Sequence, residues 1–510
     1  MGFDSVVRES PDRTALIDVD GRTRTFRQLA ERVNQVSHAL RRLGMSTGDV
    51  VAGAFVNRSA YYELRLAAQQ IGLYFTPINY HLTASEIAYI LADSHASVVV
   101  ADAATAQVVD EALSLGDHRV GHRVSVAEPL PGWLDYEDVL ADEPVEAPVD
   151  LIAGEFMGYT SGTTGYPKAV RKPLTDRLPG LSAFTVNHMR RLGIHAGDGV
   201  HLACGPLYHA GPGSFSIAAL HLGHTVVIAE RPRSEEILAL IERHQITATF
   251  TVPTVLHRIL RLPDEVLTSY DVSSMRALVH AGAPCPASVK RMAIEYFGPV
   301  VNEFYGTTEG SATAATASEW LTKPGTVGYP LPGIEVRVLG DEGESLPPGE
   351  VGDIYFTPPG PFEYWHDPDK TRAAMHDGFF SAGDMGYLDE DGWLFMSDRR
   401  SDMILSGGVN IYPAEIEAAL ISHPDVADVA VIGVPDEEWG GRVVAVVQPA
   451  DAIQPGPGLT ERLRVHCGEQ IARYKMPRAF DYVEELPRNA AGKLQRAKVR
   501  EVYVGRGEEQ

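Results

Sequence analysis

The sequence predicts an α/β protein with parallel sheets, divided into two or three domains. Apolar segments at residues 50–56, 97–101 and 248–252 have the length of buried strands, and amphipathic stretches separate them. Strands that alternate with helices along a chain usually form parallel sheets. At 510 residues, of which 44% are hydrophobic, the chain is too long for one core and has enough apolar content for several.

The residue pattern predicts the individual elements in order. Residues 14–18 and 23–26 predict a hairpin, because Asp20-Gly21 stands at the turn between them. Apolar residues at three- and four-residue steps predict a helix over 29–43 that ends at Gly44. Residues 102–150 are polar and carry several prolines, and they predict a connector without chemistry. Further predicted elements are helices at 61–71 and 234–244, strands at 200–204, 225–228 and 277–279, a loop or hairpin edge at 341–360, and a hairpin turn at 389–392.

A second, smaller group of elements follows residue 400. Two helices are predicted at 414–420 and 461–474, and three strands at 426–434, 442–448 and 480–483. This group predicts a small α/β domain at the C-terminal end.

Charge and cysteine content exclude several functional classes. The chain has 44 basic and 68 acidic side chains, a net charge of −24, so neither nucleic acid nor an anionic membrane is an expected partner. Cys204, Cys285 and Cys467 are isolated, which predicts no disulfide and no zinc site and favours the reducing cytoplasm. The first ten residues lack an apolar core and no later run is long enough to span a bilayer, so any membrane contact is expected to be peripheral. Nothing in the sequence indicates an oligomeric state.

The polar run from Thr160 to Lys168 has the chemistry of a phosphate-binding loop. Its glycines let backbone N–H groups converge on an anion, its hydroxyl groups add donors, and Lys168 adds a positive charge. The spacing differs from the common nucleotide loop G-x-x-x-x-G-K-[ST], and a solvated Ser/Thr/Gly turn is the alternative interpretation. The residues expected to hold phosphate, besides Lys168, are Thr160, Ser161, Gly162, Thr163, Thr164 and Gly165.

The full string Thr-Ser-Gly-Thr-Thr-Gly-x-Pro-Lys resembles the phosphate loop of the adenylate-forming superfamily, which contains acyl-CoA synthetases, peptide-synthetase adenylation domains and firefly-type luciferases. Ala169 stands where that family usually has glycine. The segment from Phe304 to Gly310 resembles the family motif Tyr-Gly-x-Thr-Glu. The resemblance extends over nearly the whole chain, and the segment His-Ala-Gly-Ala-Pro-Cys-Pro is similar to bacterial fatty-acyl-CoA synthetases.

Physical chemistry explains the residue types of the second motif. Tyr305 offers a flat face to a purine, and Gly306 permits close backbone approach. Thr308 can donate to phosphate, and Glu309 can supply an oxygen ligand to Mg²⁺ that bridges the phosphates. Taken alone, the segment could equally be a strand edge with an exposed glutamate.

Other segments match nucleotide contacts of the resembled family. The resemblance implies that Gly282 and Ala283 pack on the adenine and that Asp384 binds both ribose hydroxyls, which suits an ionised carboxylate. Arg399 matches a second contact to ribose and phosphate. His209 matches a histidine beside the acyl pocket and the phosphates, where it would act as a gate and pocket wall; a satisfied loop histidine is the alternative.

The acyl pocket is expected between residues 206–216 and 279–283. Gly211 and Gly213 would leave room for the substrate, and His280 would border the pocket. Small residues there favour a fatty or other bulky apolar acid, with an aromatic or steroid-derived acid as the alternative. No carboxylate is placed to meet an ammonium group, so an amino acid is not expected.

The resemblance implies an AMP-binding domain at 1–400, followed by a mobile C-terminal domain at 401–510. Ser401 occupies the hinge position, where the family usually has Lys or Asp. Lys493 matches the lysine that bridges the substrate carboxylate and the α-phosphate. CoA contacts are implied for Gly407, Gly408, Trp439 and Lys475, the last within a basic and aromatic patch that could instead be a solvated face.

The implied function is ATP-dependent ligation of a carboxylic acid to CoA. The acid and ATP, with Mg²⁺ held by Glu309, would form acyl-AMP and pyrophosphate, and the CoA thiol would then attack after the small domain turns. Catalytic roles are implied for Lys493, Glu309, Lys168 and His209. The alternatives are an enzyme that loads a carrier protein, a luciferase-type oxidoreductase and a non-catalytic nucleotide-binding regulator.

Overall fold

The computed structural model of the protein describes residues 2–160, 167–406, 409–436, 440–489 and 492–507. Helices and strands alternate through most of this part of the chain. The elements up to Thr160 are α1 (Phe3–Glu9), β1 (Thr14–Ile17), β2 (Thr23–Thr25), α2 (Phe26–Arg42), β3 (Val50–Ala54), α3 (Ser59–Gln70), β4 (Tyr74–Pro77), α4 (Ala84–Ser94), β5 (Ala96–Asp102), α5 (Ala103–Ser114), β6 (His122–Val126), β7 (Leu134–Asp135), α6 (Tyr136–Leu140), β8 (Glu155–Phe156) and β9 (Gly158–Thr160).

The middle of the chain adds most of the strands. Its elements are β10 (Lys168–Arg171), α7 (Ala183–Arg191), β11 (Val200–Ala203), α8 (Ala210–His221), β12 (Thr225–Ile228), α9 (Ser234–His244), β13 (Ala248–Thr251), α10 (Pro253–Leu260), α11 (Asp264–Leu267), β14 (Ala277–His280), α12 (Ala287–Phe297), β15 (Val301–Gly306), β16 (Ser311–Ala315), α13 (Ala317–Thr322), β17 (Thr326–Pro330), β18 (Val336–Leu339), β19 (Gly352–Phe356), β20 (Glu363–Tyr364), α14 (Pro368–Ala373), β21 (Met375–His376), β22 (Phe379–Phe380), β23 (Asp384–Leu388) and β24 (Leu394–Arg399).

The C-terminal part forms its own small sheet. Its elements are β25 (Ile404–Ser406), β26 (Val409–Ile411), α15 (Pro413–Ile421), β27 (Val426–Asp436), β28 (Gly440–Pro449), α16 (Pro457–Gln470), a 3₁₀ turn (Arg473–Lys475), β29 (Ala479–Tyr482) and α17 (Arg496–Gly507). Strands β27 and β28 are antiparallel, and β29 lies parallel to β28. The predicted small α/β domain is therefore confirmed, and helix α17 is an addition that the sequence pattern did not indicate.

A six-stranded parallel sheet organises the first part of the chain, in the order β7-β6-β5-β3-β4-β8. Its central strand β3 is buried at every position. The prediction that residues 102–150 form a connector is wrong, because this segment contributes α5, α6 and two strands of this sheet. Val109 and Val124 are buried there. The apolar runs around them are short and stand among polar residues, so the sequence pattern did not indicate helices or strands.

A larger sheet carries the candidate site. Its parallel part has the order β1-β12-β11-β13-β14-β15, and it continues through antiparallel strands to β21. Helix α8 packs on one face with Phe250 and Val279, whereas α9, α10 and α12 pack on the other with Leu278. The carboxyl ends of parallel strands are where α/β sheets bind ligands, and here β14 and β15 end at His280 and Gly306. The predicted hairpin of β1 and β2 is confirmed. Within the described residues, no helix combines the length and apolar character needed to cross a membrane.

Helix α8 ends in a histidine that must stay neutral in the folded protein. His221 is 3% exposed, and its Nδ1 accepts a hydrogen bond of 2.9 Å from the backbone N–H of Phe3. Burial, helped by the charge of Arg65, lowers the pKa of His221 to about 4. Below about pH 6.5 the unfolded chain therefore binds a proton that the folded chain excludes, so stability is lost as the pH falls.

We expect His221→Asn to reduce this pH dependence, because Asn keeps a hydrogen-bond acceptor and does not titrate. Between pH 7.5 and 5.5 the wild type should lose about 1.4 kcal/mol more stability than the variant. Thermal midpoints at the two pH values measure this difference, and His118→Asn, which removes an exposed histidine, is the control. An equal loss of stability in wild type and His221→Asn would contradict the assignment.

Candidate active site

The ends of β15 and the β23–β24 hairpin bring together a tyrosine, a carboxylate and an arginine. The Tyr305 hydroxyl donates to Asp384 Oδ2 at 2.9 Å, and Arg399 Nε donates to Oδ1 at 3.1 Å. Burial and the neighbouring Asp384 charge raise the pKa of Tyr305, so it remains a donor. Asp384 is 5% exposed and Tyr305 8% exposed. Two donors fix the carboxylate, and each of its oxygens keeps a lone pair for a further hydroxyl group.

Glu309 is bonded to β20, which pairs with the strand that follows the phosphate-loop segment. It is 4% exposed, and its Oε1 accepts a hydrogen bond of 2.6 Å from the Tyr364 hydroxyl. Tyr364 lies on β20 and pairs with Val170 of β10, the strand that starts at Lys168. No described residue donates a hydrogen bond to Glu309 Oε2, so this oxygen is available to a ligand. The hydrogen bond from Tyr364 therefore links Glu309 to the small sheet β20-β10-β9, which carries Lys168 and Thr160 at the base of the predicted phosphate loop.

Lys168 and Thr160 face each other at the base of the predicted phosphate loop. They are partners in the β9–β10 pair, and Thr160 Oγ1 donates to the Lys168 carbonyl oxygen at 3.3 Å. Lys168 Nζ lies 3.2 Å from Asp367 Oδ2, and this hydrogen bond raises the pKa of the lysine. The other loop residues with predicted roles lie outside the described residues, namely Ser161, Gly162, Thr163, Thr164 and Gly165.

Lys493 reaches this cleft from the C-terminal domain. Its Cε lies 3.5 Å, and its Nζ 4.0 Å, from the position that a Cβ would take at Gly282. Gly282 has a φ of +86°, a backbone conformation that favours glycine, and Ala283 follows it in the same turn. The predicted catalytic lysine and the predicted adenine-binding segment are therefore in contact.

Burial and neighbouring charges change the pKa of the Lys493 ammonium group. Burial in the cleft, followed by the positive charge of Arg399, lowers the pKa of Lys493, and Asp384 opposes this shift. The side chain is nevertheless accessible to solvent. The lowered pKa and the accessibility are compatible because the lysine stands in an open cleft, whose walls displace most of the water around it. Its charge is thus poorly compensated by the protein and suited to bind an anion.

A short loop holds Lys493 in place across the domain interface. Thr254 Oγ1 on α10 donates to the Gly492 carbonyl oxygen at 3.1 Å, and Arg488 Nη1 donates to the same oxygen at 2.7 Å. Arg488 also binds both carboxylate oxygens of Asp428, at 2.7 and 2.6 Å. Sequence reasoning missed Thr254 and Arg488, because a cross-domain contact leaves no local pattern.

Thr254→Val should weaken this docking and selectively slow the adenylate formation that the resemblance implies. It removes the hydroxyl that binds both Gly492 and Arg488, so a loss of about 1 kcal/mol, or roughly fivefold in rate, is expected. The measurements are pyrophosphate release from acid and ATP, and acyl transfer from supplied acyl-AMP. Thr322→Val, at an exposed helix end, is the matched control. Equal slowing of both half-reactions would contradict the proposed docking.

His209 stands at the start of α8 beside Lys493. Burial and then the Lys493 charge lower the pKa of His209 to about 4, so its imidazole is neutral at pH 7. Its Nε2 has no hydrogen-bond partner among the described residues. A neutral ring with an available nitrogen fits the predicted gate and pocket wall, although this role stays a prediction.

The space beside three predicted ligand-accommodating glycines is taken up by protein. A Cβ at Gly211 would lie 2.6 Å from Phe250, and one at Gly213 would lie 2.3 Å from the Tyr61 hydroxyl. A Cβ at Gly306 would lie 2.7 Å from the Cα of Ser311. These glycines are therefore required by packing within the fold. Gly211 and Gly213 also lie in α8, not in the loop that the Gly/Pro pattern predicted.

The prediction that His280 borders the acyl pocket is wrong. His280 is completely buried, and its Nε2 lies 3.8 Å from Oε2 of Glu303, which binds Lys290 of α12. Side chains alternate between the faces of a strand, so Val279 faces α8 and His280 faces α12. The face toward α8 instead holds an aromatic cluster, with ring centroids 4.9 Å apart for Phe215 and Phe250 and 5.5 Å for Phe215 and Phe304.

The residues predicted to bind CoA are only partly described. Gly407, Gly408 and Trp439 lie outside the described residues. Lys475 Nζ donates to both carboxylate oxygens of Glu415 at 2.7 Å, so a CoA phosphate would have to compete with Glu415. Thr308 is partly accessible in the turn after β15, and its phosphate contact stays a prediction.

Carboxylates gather around one arginine next to the predicted hinge, and the sequence pattern did not indicate this arrangement. Arg496, three residues after Lys493, donates to Asp402 at 2.8 Å and to Glu417 at 2.6 Å. Asp398 Oδ2 accepts from the backbone N–H of Ala414 at 2.9 Å. The bond of Asp398 joins the last strand before Ser401 to helix α15, and those of Arg496 hold the C-terminal elements to one another.

The donor set at Glu309 fits Mg²⁺ bound together with phosphate. Mg²⁺ prefers oxygen ligands and usually keeps water and phosphate oxygens in its shell, and Glu309 Oε2 is an available carboxylate oxygen. Within the described ranges no three His, Cys, Asp or Glu side chains gather into a metal site, so phosphates would supply further ligands. A bound Mg²⁺ would neutralise phosphate charge there.

Fold and cleft together define a two-domain α/β enzyme in which a lysine of the small domain reaches a cleft of the large one. The sequence model of the AMP-binding enzyme matches residues 3–365, and that of the AMP-binding enzyme C-terminal domain matches residues 415–493. The chain belongs to the family of AMP-binding enzymes. This result confirms the predicted membership in the adenylate-forming superfamily and the predicted fold class.

Relatives of the full length include ligases that act on different acids. A feruloyl-CoA synthase from Amycolatopsis sp is 35% identical over 97% of this chain and 96% of its own. The fatty acid–[acyl-carrier-protein] ligase ScoC from Streptomyces coeruleorubidus is 32% identical over 96% of this chain and 94% of its own. The crystal structure of the anthranilate CoA ligase AuaEII in complex with anthranoyl-AMP superposes with a TM-score of 0.87 at 28% identity, covering 98% of this chain and 96% of that one.

Proposed function

We propose that the protein is an ATP-dependent acid:CoA ligase that activates a compact apolar carboxylic acid. The observation that supports this most is the position of Lys493, which reaches from the small domain to Gly282 in the cleft that holds Asp384 and Arg399. A domain boundary at residues 400 and 401 and a hinge at Ser401 belong to the same proposal.

Adenylate formation brings two anions together, so the enzyme has to supply positive charge and alignment. The acid carboxylate attacks the α-phosphorus of ATP, and the bond to pyrophosphate breaks. Lys493 would bridge the carboxylate and the α-phosphate, while Lys168 and the loop amides would hold the departing pyrophosphate. Asp384 and Arg399 would fix the ribose, so that the α-phosphate meets Lys493.

Acyl transfer needs a different arrangement of the same site. The CoA thiol attacks the acyl carbonyl and AMP leaves, which needs no lysine at the α-phosphate. Turning about Ser401 would withdraw Lys493 and bring Gly407 and Gly408 to the cleft. The contacts of Thr254 with Gly492 and Arg488, which cross the domain interface, are weak enough to be broken and remade, since each is a single hydrogen bond worth about 1 kcal/mol.

The aromatic cluster on the α8 side favours an aromatic acid over a long fatty acid. Phe215 and Phe250 are 6% and 5% exposed, and their rings pack against that of Phe304 at centroid distances of 5.5 and 6.2 Å. Phe304 and Phe184 are partly accessible and can offer their rings to a flat substrate. The initial expectation of a fatty acid remains as the alternative.

A carrier protein is the second candidate acceptor. The observation that favours a carrier protein is the relative ScoC, which is named as a ligase for an acyl carrier protein. Lys475 is bound by Glu415 in the described conformation. The protein therefore offers less positive charge to the nucleotide end of CoA. Free CoA and a carrier protein bearing phosphopantetheine would be compared as acceptors at equal concentration.

The experiment that tests the proposal is a panel of carboxylic acids assayed for CoA-dependent AMP release. Benzoic, cinnamic, indoleacetic, octanoic and palmitic acids cover the aromatic and fatty classes. We expect release with the aromatic acids at a kcat/KM above that for palmitic acid. Release with palmitic acid alone would favour the fatty-acid alternative, and no release with any acid would contradict the proposed activity.

A further inference from the structure

The aromatic side of the cleft holds a histidine that the fold does not satisfy. His188 on α7 is 8% exposed, and its buried Nε2 has no hydrogen-bond partner among the residues that the structure describes. Its ring centroid lies 5.0 Å from that of Phe304 and 6.2 Å from those of Phe184 and Phe215. A buried polar group without a partner has lost its hydrogen bonds to water without replacement, so a ligand that pairs with it gains affinity.

Hydrogen bonds hold the C-terminal end of α7, which carries His188, against neighbouring elements. Asn302 Nδ2 on β15 donates to the Leu192 carbonyl oxygen at 2.9 Å. Arg191 donates to Glu319 at 2.6 Å. These bonds fix the end of α7 against the sheet, and the imidazole stays among the phenylalanine rings.

The length of α8 between His209 and the aromatic cluster suits a compact acid. Phe215 lies six residues beyond His209 on α8, which corresponds to about 9 Å along the helix axis. Phe304 directly precedes Tyr305 on β15. The aromatic cluster is therefore built on the same two elements as the candidate site, because α8 starts directly after His209 and β15 carries Tyr305. One aromatic ring with a short linker to its carboxylate fits this distance, whereas a long alkyl chain does not.

The surroundings of His188 are uncharged. Burial lowers the pKa of His188 to about 4, and no charged side chain contributes to the shift. The imidazole is thus neutral at pH 7, and each of its nitrogens can act as donor or acceptor, depending on the tautomer. Such a group recognises an uncharged polar substituent, because an anion or cation among these rings would lack a counter-charge.

Resting on the proposed function, we propose that His188 is a specificity residue that hydrogen-bonds an uncharged hydroxyl or carbonyl group of an aromatic acid, at the end of the acid remote from its carboxylate. The rings of Phe304 and Phe184 would then flank the aromatic ring of the acid. The substrate class is an aromatic carboxylic acid with one neutral hydrogen-bonding substituent.

Matched acids test this assignment on the wild-type enzyme. The probes are 4-hydroxycinnamic acid and 4-methylcinnamic acid, in which a methyl group of similar volume replaces the hydroxyl group. We expect kcat/KM for pyrophosphate release to be at least about 10-fold higher with the hydroxy acid, because the methyl group leaves His188 without a partner. Octanoic acid is included as an apolar acid without a ring.

Two substitutions at position 188 separate hydrogen bonding from packing. His188→Phe keeps a ring among the phenylalanines and removes the nitrogens, so it should abolish the preference for the hydroxy acid while turnover of the methyl acid persists. His188→Gln restores a donor and an acceptor and should retain part of the preference even if His188→Phe does not fold. His195→Gln, at an exposed position on the same segment, should leave the preference unchanged.

The outcomes separate this inference from the proposed function. A lost preference in His188→Phe, retained in His195→Gln, supports the assignment. The inference is overturned if the wild type does not distinguish the two acids, if His188→Phe keeps the preference, or if only octanoic acid is turned over; ligase activity itself would survive each result. Absence of pyrophosphate release with every acid overturns both the proposed function and the inference.

Discussion

Lys493→Ala should abolish adenylate formation while acyl transfer persists. Pyrophosphate release from acid and ATP is expected to fall by about 10²–10³-fold, the range found when a preorganised donor to developing charge is removed. Thioester formation from supplied acyl-AMP and CoA should stay within a few-fold of the wild type, because the lysine acts only at the α-phosphate. Both rates are measured by single-turnover quench.

The matched control for this prediction is Lys498→Ala. Lys498 is exposed on α17, five residues beyond Lys493, so its loss changes the charge of the same segment without touching the cleft. Unchanged pyrophosphate release in Lys493→Ala, or an equal loss in both half-reactions, would show that the contact with Gly282 has no role in adenylation.

Glu309→Gln should cause the second large loss, of about 10²-fold in kcat/KM for MgATP. The amide keeps an acceptor for the Tyr364 hydroxyl group, which now binds Oε1 at 2.6 Å, so the fold should persist. It lacks the charge that holds Mg²⁺ on the phosphates, and metal-ion stabilisation of transferring phosphoryl groups is worth several kcal/mol. Rates measured as a function of Mg²⁺ concentration should show a higher Mg²⁺ requirement.

Tyr364→Phe separates the carboxylate from its anchor. It removes one hydrogen bond to Glu309 and keeps the charge, so a loss of about 1 kcal/mol, or roughly fivefold, is expected. If Glu309→Gln retained the Mg²⁺ dependence of the wild type, or lost no more than Tyr364→Phe, the assignment of Glu309 to the metal would be wrong.

The sequence predicted the residues of the cleft better than it predicted their partners. Tyr305, Glu309 and Asp384 stand in short motifs whose residue types follow from the chemistry of a nucleotide. The Tyr305–Asp384 and Tyr364–Glu309 bonds span 79 and 55 residues. Which distant side chain meets a motif depends on how the sheets assemble, and local periodicity does not contain that information.

Errors in the prediction arose where packing used residues that resemble ligand-binding ones. Gly211 and Gly213 belong to a Gly/Pro run typical of a substrate loop, yet Phe250 and Tyr61 occupy the space beside them. His280 stands next to the segment predicted to bind adenine, but alternation along β14 turns it toward α12. The sequence placed His280 correctly at the end of a strand. The side of the sheet on which its side chain lies depends on how β14 and β15 pair, which the sequence does not show.

His188 shows the opposite case, in which a residue without a motif gains significance from its surroundings. One histidine among the 18 in the chain carries no signal at the level of spacing. His188 becomes a candidate specificity residue because it is buried and neutral, and because its Nε2 lacks a partner among the described residues. The aromatic rings around it include Phe304, which directly precedes Tyr305. Such a combination is visible only when α7, α8 and β15 are packed together.

The central claim is that the cleft between Tyr305, Asp384 and Lys493 makes an enzyme-bound acyl adenylate before any acyl transfer. The most direct measurement is a single turnover with acid, MgATP and no CoA, followed by addition of CoA. We expect pyrophosphate and one bound acyl-AMP per chain, discharged to thioester and AMP only when CoA is added. Release of ADP and phosphate, or no acid-dependent pyrophosphate before CoA is added, would contradict it.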